Sequence, residues 1–148
     1  MLDKIWKSER LLFQPFEISE AEVAKDIFDS NNRLVSYDPT FCVWPLSEFE
    51  TLIQRDLEKQ VGNDECSFYL RKIINHNDET VGYFQLELNA PSAGICWLPM
   101  LVFKPDYQSS GYGKEVVNSI LMELRKQNQF SHIKLNVYAE NVNAFRFW

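Results

Sequence analysis

Apolar side chains recur at helical spacing in two stretches of the first half of the chain. In residues 20–30 they form one stripe, which is typical of a helix with a single buried face. Ser19 and Glu22 have the spacing of a capping box, in which two side chains satisfy the free N–H groups at a helix start. Ser47 and Glu50 repeat this spacing before a second amphipathic stretch. Two helices are therefore predicted.

Short apolar runs and period-two alternation dominate other parts of the chain and predict strands. These runs cover residues 11–16, 68–74, 81–88 and 94–103. Polar turns at residues 75–80 and 89–94 separate the last three runs, so an antiparallel meander is predicted. Alternate polar residues predict one solvated sheet face, formed by Gln85, Glu87 and Asn89.

The last third of the chain returns to helical spacing. It predicts a helix over residues 111–127, a strand over 133–137 and a helix over 141–148. A right-handed crossover would place strand 133–137 parallel to the strand that ends at Phe103. The order β-α-α-β-β-β-α-β-α predicts a mixed α/β fold, with a mostly antiparallel sheet flanked by helices.

Composition narrows the class of protein. The 148 residues are 45% hydrophobic and 24% charged, so one globular domain over residues 1–148 is expected. The net charge of −6 argues against DNA or RNA as a partner. Three widely spaced cysteines predict reduced thiols and no metal site. The chain also lacks an apolar run typical of a signal peptide or membrane span, so we expect a soluble cytoplasmic protein.

Residues 31–45 are rich in turn formers and aromatic side chains and are too interrupted by proline for a regular element. Substrate contacts often lie on such loops, which makes this segment a candidate wall for a bound molecule. The alternative is a loop held in place by burial of its own aromatic rings.

A glycine-rich stretch, residues 105–114, joins the strand ending at Phe103 to the following helix. Its backbone N–H groups and the helix N-terminus can bind a phosphate group. A Walker A loop would need glycine at position 108 and serine or threonine at position 115, where Gln108 and Glu115 stand. A dinucleotide fingerprint would need glycine or alanine at Val116. An ordinary turn that begins a helix is the remaining alternative.

The spacing Gln108-x-x-Gly111-x-Gly113 after an apolar strand resembles the acetyl-CoA loop of the GNAT superfamily of acyltransferases. Residues 136–148, Asn-Val-Tyr-Ala-Glu-Asn-Val-Asn-Ala-Phe-Arg-Phe-Trp, resemble the next motif of that family. Similarity at the level of motifs begins at about Gly94, whereas the first half agrees in its order of elements only.

This resemblance implies acetyl-CoA as co-substrate, bound between two strands that diverge. The pantetheine arm would pair with the strand that carries Leu101 and Phe103, and the pyrophosphate would lie on the loop. The implied coenzyme contacts are Leu101, Phe103, Gln108, Ser109, Ser110, Gly111, Tyr112, Gly113, Lys114 and Asn141. Helix N-capping is an equally natural role for Asn141.

The implied chemistry is direct attack of a small-molecule or peptide amine on the thioester, without a metal ion. Glu87 is a candidate base, and water that relays the proton to bulk solvent is the alternative. Trp148 stands where the family has its usual tyrosine acid, so Tyr138 or water is expected to protonate the leaving thiolate. Cys96, inside an apolar strand, is a poor candidate nucleophile.

These departures from the family leave a rival function open, namely an acyl-CoA-binding module or regulatory subunit without turnover. The sequence also stops at Trp148, whereas members of the family usually continue into further strands. An edge of strand 133–137 would then be exposed, and we expect a second copy of the chain to cover it in a homodimer.

Overall fold

The computed structural model describes residues 2–36, 42–58, 67–137 and 141–148. The strands are Trp6–Lys7 (β1), Leu12–Gln14 (β2), Ser67–Ile74 (β3), Thr80–Leu88 (β4), Ile95–Phe103 (β5) and His132–Lys134 (β6). The α-helices are Ala21–Asp29 (α1), Leu46–Glu58 (α2), Tyr112–Gln127 (α3) and Val142–Phe147 (α4). Short 3-10 helices cover Ile18–Glu20, Asn32–Ser36 and Pro105–Tyr107.

All six strands lie in one sheet in chain order, β1-β2-β3-β4-β5-β6. Each neighbouring pair is antiparallel except β5 and β6, which are parallel. The predicted meander and the parallel return of the chain after α3 are therefore confirmed. Short turns join β1 to β2, β3 to β4 and β4 to β5, which suits antiparallel pairing, and a crossover with a helix of 16 residues joins the parallel pair. The antiparallel strands β2 and β3 are instead joined by the long segment that carries α1 and α2.

Helices cover both faces of the sheet and form two apolar cores. On one face, α3 buries Val116, Ile120 and Leu124 against the sheet. On the other face, α1 and α2 bury side chains that include Ile27 and Phe49. A central strand between two such layers has no solvated side.

The predicted solvated face of β4 is accordingly wrong. Gln85 is only 9% exposed, and the side chain of Glu87 is 25% exposed. Alternation of polar and apolar residues marks the two faces of a strand, but it does not tell whether a second helical layer covers the polar one.

Two helix starts differ from the predicted ones. The capping box before α1 joins Glu17 and Glu20 around the 3-10 helix, instead of Ser19 and Glu22. Helix α2 begins at Leu46, so Ser47 lies in its first turn and is not its N-cap. In both cases the helical segment starts earlier than the capping pattern predicts.

Strand β1 was not predicted, because two residues are too short to show a periodicity. Tertiary contacts hold it in place. The Trp6 side chain is buried, and its indole Nε1 donates a hydrogen bond of 2.9 Å to the Ser119 hydroxyl on α3.

All of β6, His132–Lys134, pairs with the N-terminal end of β5, Ile95–Trp97. Strand β6 ends at Lys134, before the predicted Val137. Next to this point the register between β4 and β5 shifts, because Leu98 and Pro99 together oppose a single residue of β4. The remainder of β5 has no pairing with β6 along the part of the chain that the structure describes. Cover of β6 by a second subunit stays a prediction.

Candidate functional site

Beyond Trp97, the edge of β5 that faces away from β4 has no strand partner among the described residues. The Lys104 N–H donates a 2.9 Å hydrogen bond to the Val81 carbonyl, so the backbone of Lys104 faces β4. Backbone groups of successive strand residues point to alternate sides, and those of Leu101 and Phe103 therefore face away from β4. These are the positions at which the sequence predicts pairing with a pantetheine arm.

The end of β5 is held to the loop by two side-chain amides. The Phe103 carbonyl accepts hydrogen bonds from Asn31 Nδ2 at 2.9 Å and from Gln108 Nε2 at 3.0 Å. Gln108 Nε2 also donates to Asn31 Oδ1 at 2.8 Å. The Gln108 side chain thus has a structural role within the protein, and its own backbone N–H donates to the Pro105 carbonyl at 3.2 Å.

Beyond Gln108 the loop leaves a row of backbone donors free. The N–H groups of residues 109–114 make no hydrogen bond to any part of the chain that the structure describes. Ser109 and Gly111 adopt left-handed φ angles of 60° and 81°. Gly111 is the N-cap of α3, and as a glycine it has no side chain that could accept a bond from the free N–H groups. Free N–H groups at the positive end of a helix, here one of 16 residues, are able to donate hydrogen bonds to an anion.

The side chains of the loop differ in their surroundings. The Ser110 hydroxyl donates a long bond of 3.4 Å to the Gln108 carbonyl, whereas Ser109 and Lys114 are exposed. The Tyr112 ring stacks on the Phe103 ring with 6.3 Å between centroids. Helix α4 packs on the loop, since a Cβ atom added at Gly113 would lie 3.0 Å from the Phe147 ring.

The turn between β1 and β2 contacts the same loop from another side. Arg10 Nη1 donates to the Ser110 carbonyl at 3.2 Å, and its guanidinium lies over the Tyr112 ring, 4.7 Å from the centroid. Arg10 Nε donates to Glu115 Oε2 at 2.7 Å. Partial burial of the Glu115 carboxyl opposes its ionisation, but hydrogen bonds from Ser8 and Arg10 outweigh that effect and lower its pKa.

Asn141 is the N-cap of α4, as the alternative interpretation predicts. Its Oδ1 accepts a hydrogen bond of 3.2 Å from the Ala144 N–H. This bond leaves the amide nitrogen of Asn141 as a donor, so its contact with a pantetheine arm stays a prediction.

The structure describes only one of the two candidate catalytic residues, Glu87. Glu87 lies opposite Trp97, beside the shift in register on β5. Its carboxylate forms an ion pair of 3.2 Å with Arg55 on α2. Tyr138 lies outside the described residues.

The described part of the loop over residues 31–45 is held by an aromatic contact. The Trp44 ring lies 5.3 Å from Phe28 and 6.1 Å from Phe49, so it joins the core between α1 and α2. Residues 37–41, with Tyr37 and Phe41, are outside the described residues. Trp44 therefore supports the interpretation of a loop held by its own aromatic side chains.

Cys96 is fully buried in β5, and this burial raises the pKa of its thiol to about 12. At pH 8 only about one thiol in ten thousand would be ionised. We therefore predict that iodoacetamide leaves Cys96 unmodified in the native protein and modifies it fully in concentrated guanidinium. Peptide mapping by mass spectrometry measures both states, with exposed Cys42 as the internal control. Equal labelling of Cys42 and Cys96 in the native state would contradict the prediction.

Two features are absent from the described residues, namely a helix that could cross a membrane and a group of metal-ligating side chains. No helix among them has the length and apolar character that a membrane crossing requires. No three side chains of His, Cys, Asp or Glu within residues 2–36, 42–58, 67–137 and 141–148 are grouped as a metal site would need.

The fold and the loop define a class of protein. Residues 28–148 match the family described as Acetyltransferase (GNAT) family. The chain belongs to this family and is therefore an acetyltransferase. No curated protein sequence matches the chain significantly.

Solved structures share the fold at low sequence identity. An acetyltransferase from Thermus thermophilus superposes with a TM-score of 0.75 at 18% identity, over 96% of this chain and 85% of that chain. The microcin C7 self-immunity acetyltransferase MccE, in complex with acetyl-CoA and AMP, has a TM-score of 0.72 at 11% identity, over 93% and 75%. The PaiA N-acetyltransferase from Thermoplasma acidophilum, in complex with coenzyme A, has a TM-score of 0.62 at 16% identity, over 93% and 85%.

Two residues at the site were missed by the sequence analysis. Asn31 contacts Gln108 across 77 positions of the chain, and Arg10 contacts Glu115 across 105 positions. Local patterns carry no signal for contacts between residues so far apart. Only the pairing of the strands brings these side chains to the loop.

Proposed function

We propose that the protein is an N-acetyltransferase that transfers the acetyl group of acetyl-CoA to a primary amine by direct attack in a ternary complex. The observation that carries the proposal is the row of free backbone N–H groups over residues 109–114, at the end of a strand with an open edge. A diphosphate is the ligand group that such a row fits best, since its oxygens accept several hydrogen bonds and its charge matches the helix N-terminus.

The pantetheine arm would lie along the open edge of β5. Its amide groups would exchange hydrogen bonds with the backbone of Leu101 and with the Phe103 N–H, because the Phe103 carbonyl is already engaged. Ser109 and Lys114 would add donors beside the pyrophosphate, and Asn141 would donate its amide N–H to the arm. An extended arm on this path would bring the thioester close to the shift in register at Leu98 and Pro99.

The proposed chemistry needs a neutral amine and a proton for the leaving thiolate. Glu87 is the proposed base because its partly exposed carboxylate lies beside the shift in register. Its ion pair with Arg55 engages one oxygen of the carboxylate and leaves the other oxygen to accept a proton. Water is the alternative relay. Tyr138 or water would supply the proton to the thiolate.

Calorimetry with acetyl-CoA, followed by thiol release in the presence of a panel of small amines and peptide N-termini, tests the proposal. We expect saturable binding at one site per chain and thiol release that depends on at least one amine. Binding without turnover on any amine would favour the acyl-CoA-binding module. Absence of binding at saturating coenzyme would contradict both functions.

The variant Glu87→Gln tests whether Glu87 or water accepts the proton from the amine. This variant keeps the shape of the side chain and removes the basic carboxylate. If Glu87 is the base, thiol release should fall by about 100-fold or more at saturating substrates, with coenzyme binding unchanged. Asp29→Asn, which removes a carboxylate from an ion pair on α1, is the matched control. Unchanged turnover in Glu87→Gln would assign the proton transfer to water.

A further inference from the structure

The turn that carries Arg10 lies outside the part of the chain that matches the family, which begins at residue 28. Even so, this turn is fastened to the first turn of α3. Glu115 Oε1 accepts hydrogen bonds from the Ser8 hydroxyl at 2.5 Å and from the Arg10 N–H at 2.7 Å. The Arg10 guanidinium bridges the other carboxylate oxygen of Glu115 and the Ser110 carbonyl. An N-terminal segment is thereby joined directly to the anion-binding loop.

The bond from Arg10 to the Ser110 carbonyl determines which way one peptide unit points. In a planar trans peptide the carbonyl and the following N–H point in opposite directions. Because Arg10 holds the Ser110 carbonyl on its own side, the Gly111 N–H points away from Arg10. A peptide before glycine reorients at little cost, since glycine adopts positive and negative φ about equally well. The loop sequence alone therefore leaves this orientation weakly determined.

The charge of Arg10 adds little to the electrostatic potential at the loop. Its guanidinium lies 2.7 Å from the Glu115 carboxylate, so the pair is nearly neutral when seen from the anion site. The Arg10 side chain is also 44% exposed, and salt screens such surface charges. The effect of Arg10 on a bound diphosphate is therefore expected to come from geometry more than from attraction.

We propose that Arg10 is a positioning residue for the coenzyme loop, which orients the Gly111 N–H toward the diphosphate from outside the family-matched region. The proposal rests on the proposed function, since it requires that the loop binds coenzyme A. It assigns a role in coenzyme affinity to the β1–β2 turn. Chemistry at the thioester should not depend on Arg10, because the guanidinium contacts the loop and not the open edge of β5.

Calorimetric titration of CoA into the unaltered chain, Arg10→Ala and Arg10→Lys tests this proposal. We expect both variants to bind CoA about 2- to 13-fold more weakly. A change in affinity of this size corresponds to the net contribution of a single hydrogen bond. Lysine keeps the charge but lacks the planar fork that spans two acceptors, so it should not restore affinity. The KM for acetyl-CoA should rise in parallel, while kcat changes by less than about twofold.

Lys7→Ala is the matched control, because Lys7 is an exposed cation on the same hairpin. Its CoA affinity should stay within about twofold of the unaltered chain. Full affinity in Arg10→Lys would show an electrostatic role and overturn the proposal. Unchanged affinity in Arg10→Ala, with or without a lower melting temperature, would overturn it as well.

Circular dichroism checks that each variant is folded. If Arg10→Ala does not fold, Arg10→Met, which keeps the aliphatic stem over Tyr112, takes its place with the same expected loss of affinity. CoA binding by the unaltered chain distinguishes a failure of this inference from a failure of the proposed function. If it binds CoA and the Arg10 variants bind equally well, only this inference fails. If it does not bind CoA at all, the proposed function fails first.

Discussion

Replacement of Asp56 by asparagine is expected to lower the free energy of unfolding by about 3–5 kcal/mol. Asp56 on α2 and Arg71 on β3 form a buried ion pair, with side chains only 3% and 1% exposed. Arg71 Nη1 donates to both carboxylate oxygens, at 2.9 and 2.7 Å, and also to the Leu70 carbonyl. Asparagine keeps the shape of the side chain but leaves the buried guanidinium without its counter-ion.

Burial of this ion pair is costly to the folded state. Burial raises the pKa of Asp56 above its ordinary value, even though Arg71 acts in the opposite direction. The pair therefore contributes little net stability, whereas the removal of one partner is expensive. Replacement of both partners by apolar residues, as in Asp56→Leu with Arg71→Met, should recover most of the lost stability.

Urea unfolding followed by tryptophan fluorescence measures these changes. Asp29→Asn is the matched control, because it removes a carboxylate from the more exposed pair with Lys25 on α1. Its effect should stay below about 1 kcal/mol. A loss in Asp56→Asn no larger than that of the control would contradict the assignment of a buried, mutually dependent pair.

The second large effect is expected at the loop over residues 105–114, the proposed site of the coenzyme diphosphate. Gly111→Val should weaken acetyl-CoA binding by about 10- to 150-fold, which corresponds to the loss of one hydrogen bond to a charged group. Gly111 has a φ of 81° as the N-cap of α3. A β-branched residue is strained by about 1–3 kcal/mol in this region, so the loop is expected to leave the conformation that exposes its N–H groups.

Gly111→Asn is the control for this prediction. Asparagine adopts left-handed backbone angles far more readily than valine, so it should keep affinity within about threefold of the unaltered chain. Both side chains place a Cβ atom 3.4 Å from Arg10 Nη2, so contact with Arg10 does not distinguish them. Calorimetry with acetyl-CoA compares the two variants. Equal affinity in both would mean that the backbone conformation at Gly111 does not control binding.

Much of the fold could be predicted from the sequence because its signals are local. The alternating runs predict β3, β4 and β5, and the two polar turns between them predict antiparallel pairing. Helical spacing after Gly111 predicts α3, and a strand after that helix predicts the parallel partner of β5. Each of these inferences uses residues that are close together in the chain.

The errors occur where burial or register depends on distant parts of the chain. Gln85 has the pattern of a solvated residue, but the helical layer of α1 and α2 covers its face of the sheet. Strand β1 consists of two residues and exists through its pairing with β2 and the contact of Trp6 with α3. Neither feature has a periodicity that a sequence window could detect.

The amino-acid sequence by itself determined the order of the elements and the position of the loop with its glycines, since both depend on spacing within short segments. Only the tertiary structure decided which donors of the loop are free. It turned the Gln108 amide toward Asn31 and Phe103, and it placed Arg10 against Ser110. The physical reason is that hydrogen bonds depend on distance and direction in space, and chain folding brings together groups that are far apart in the sequence.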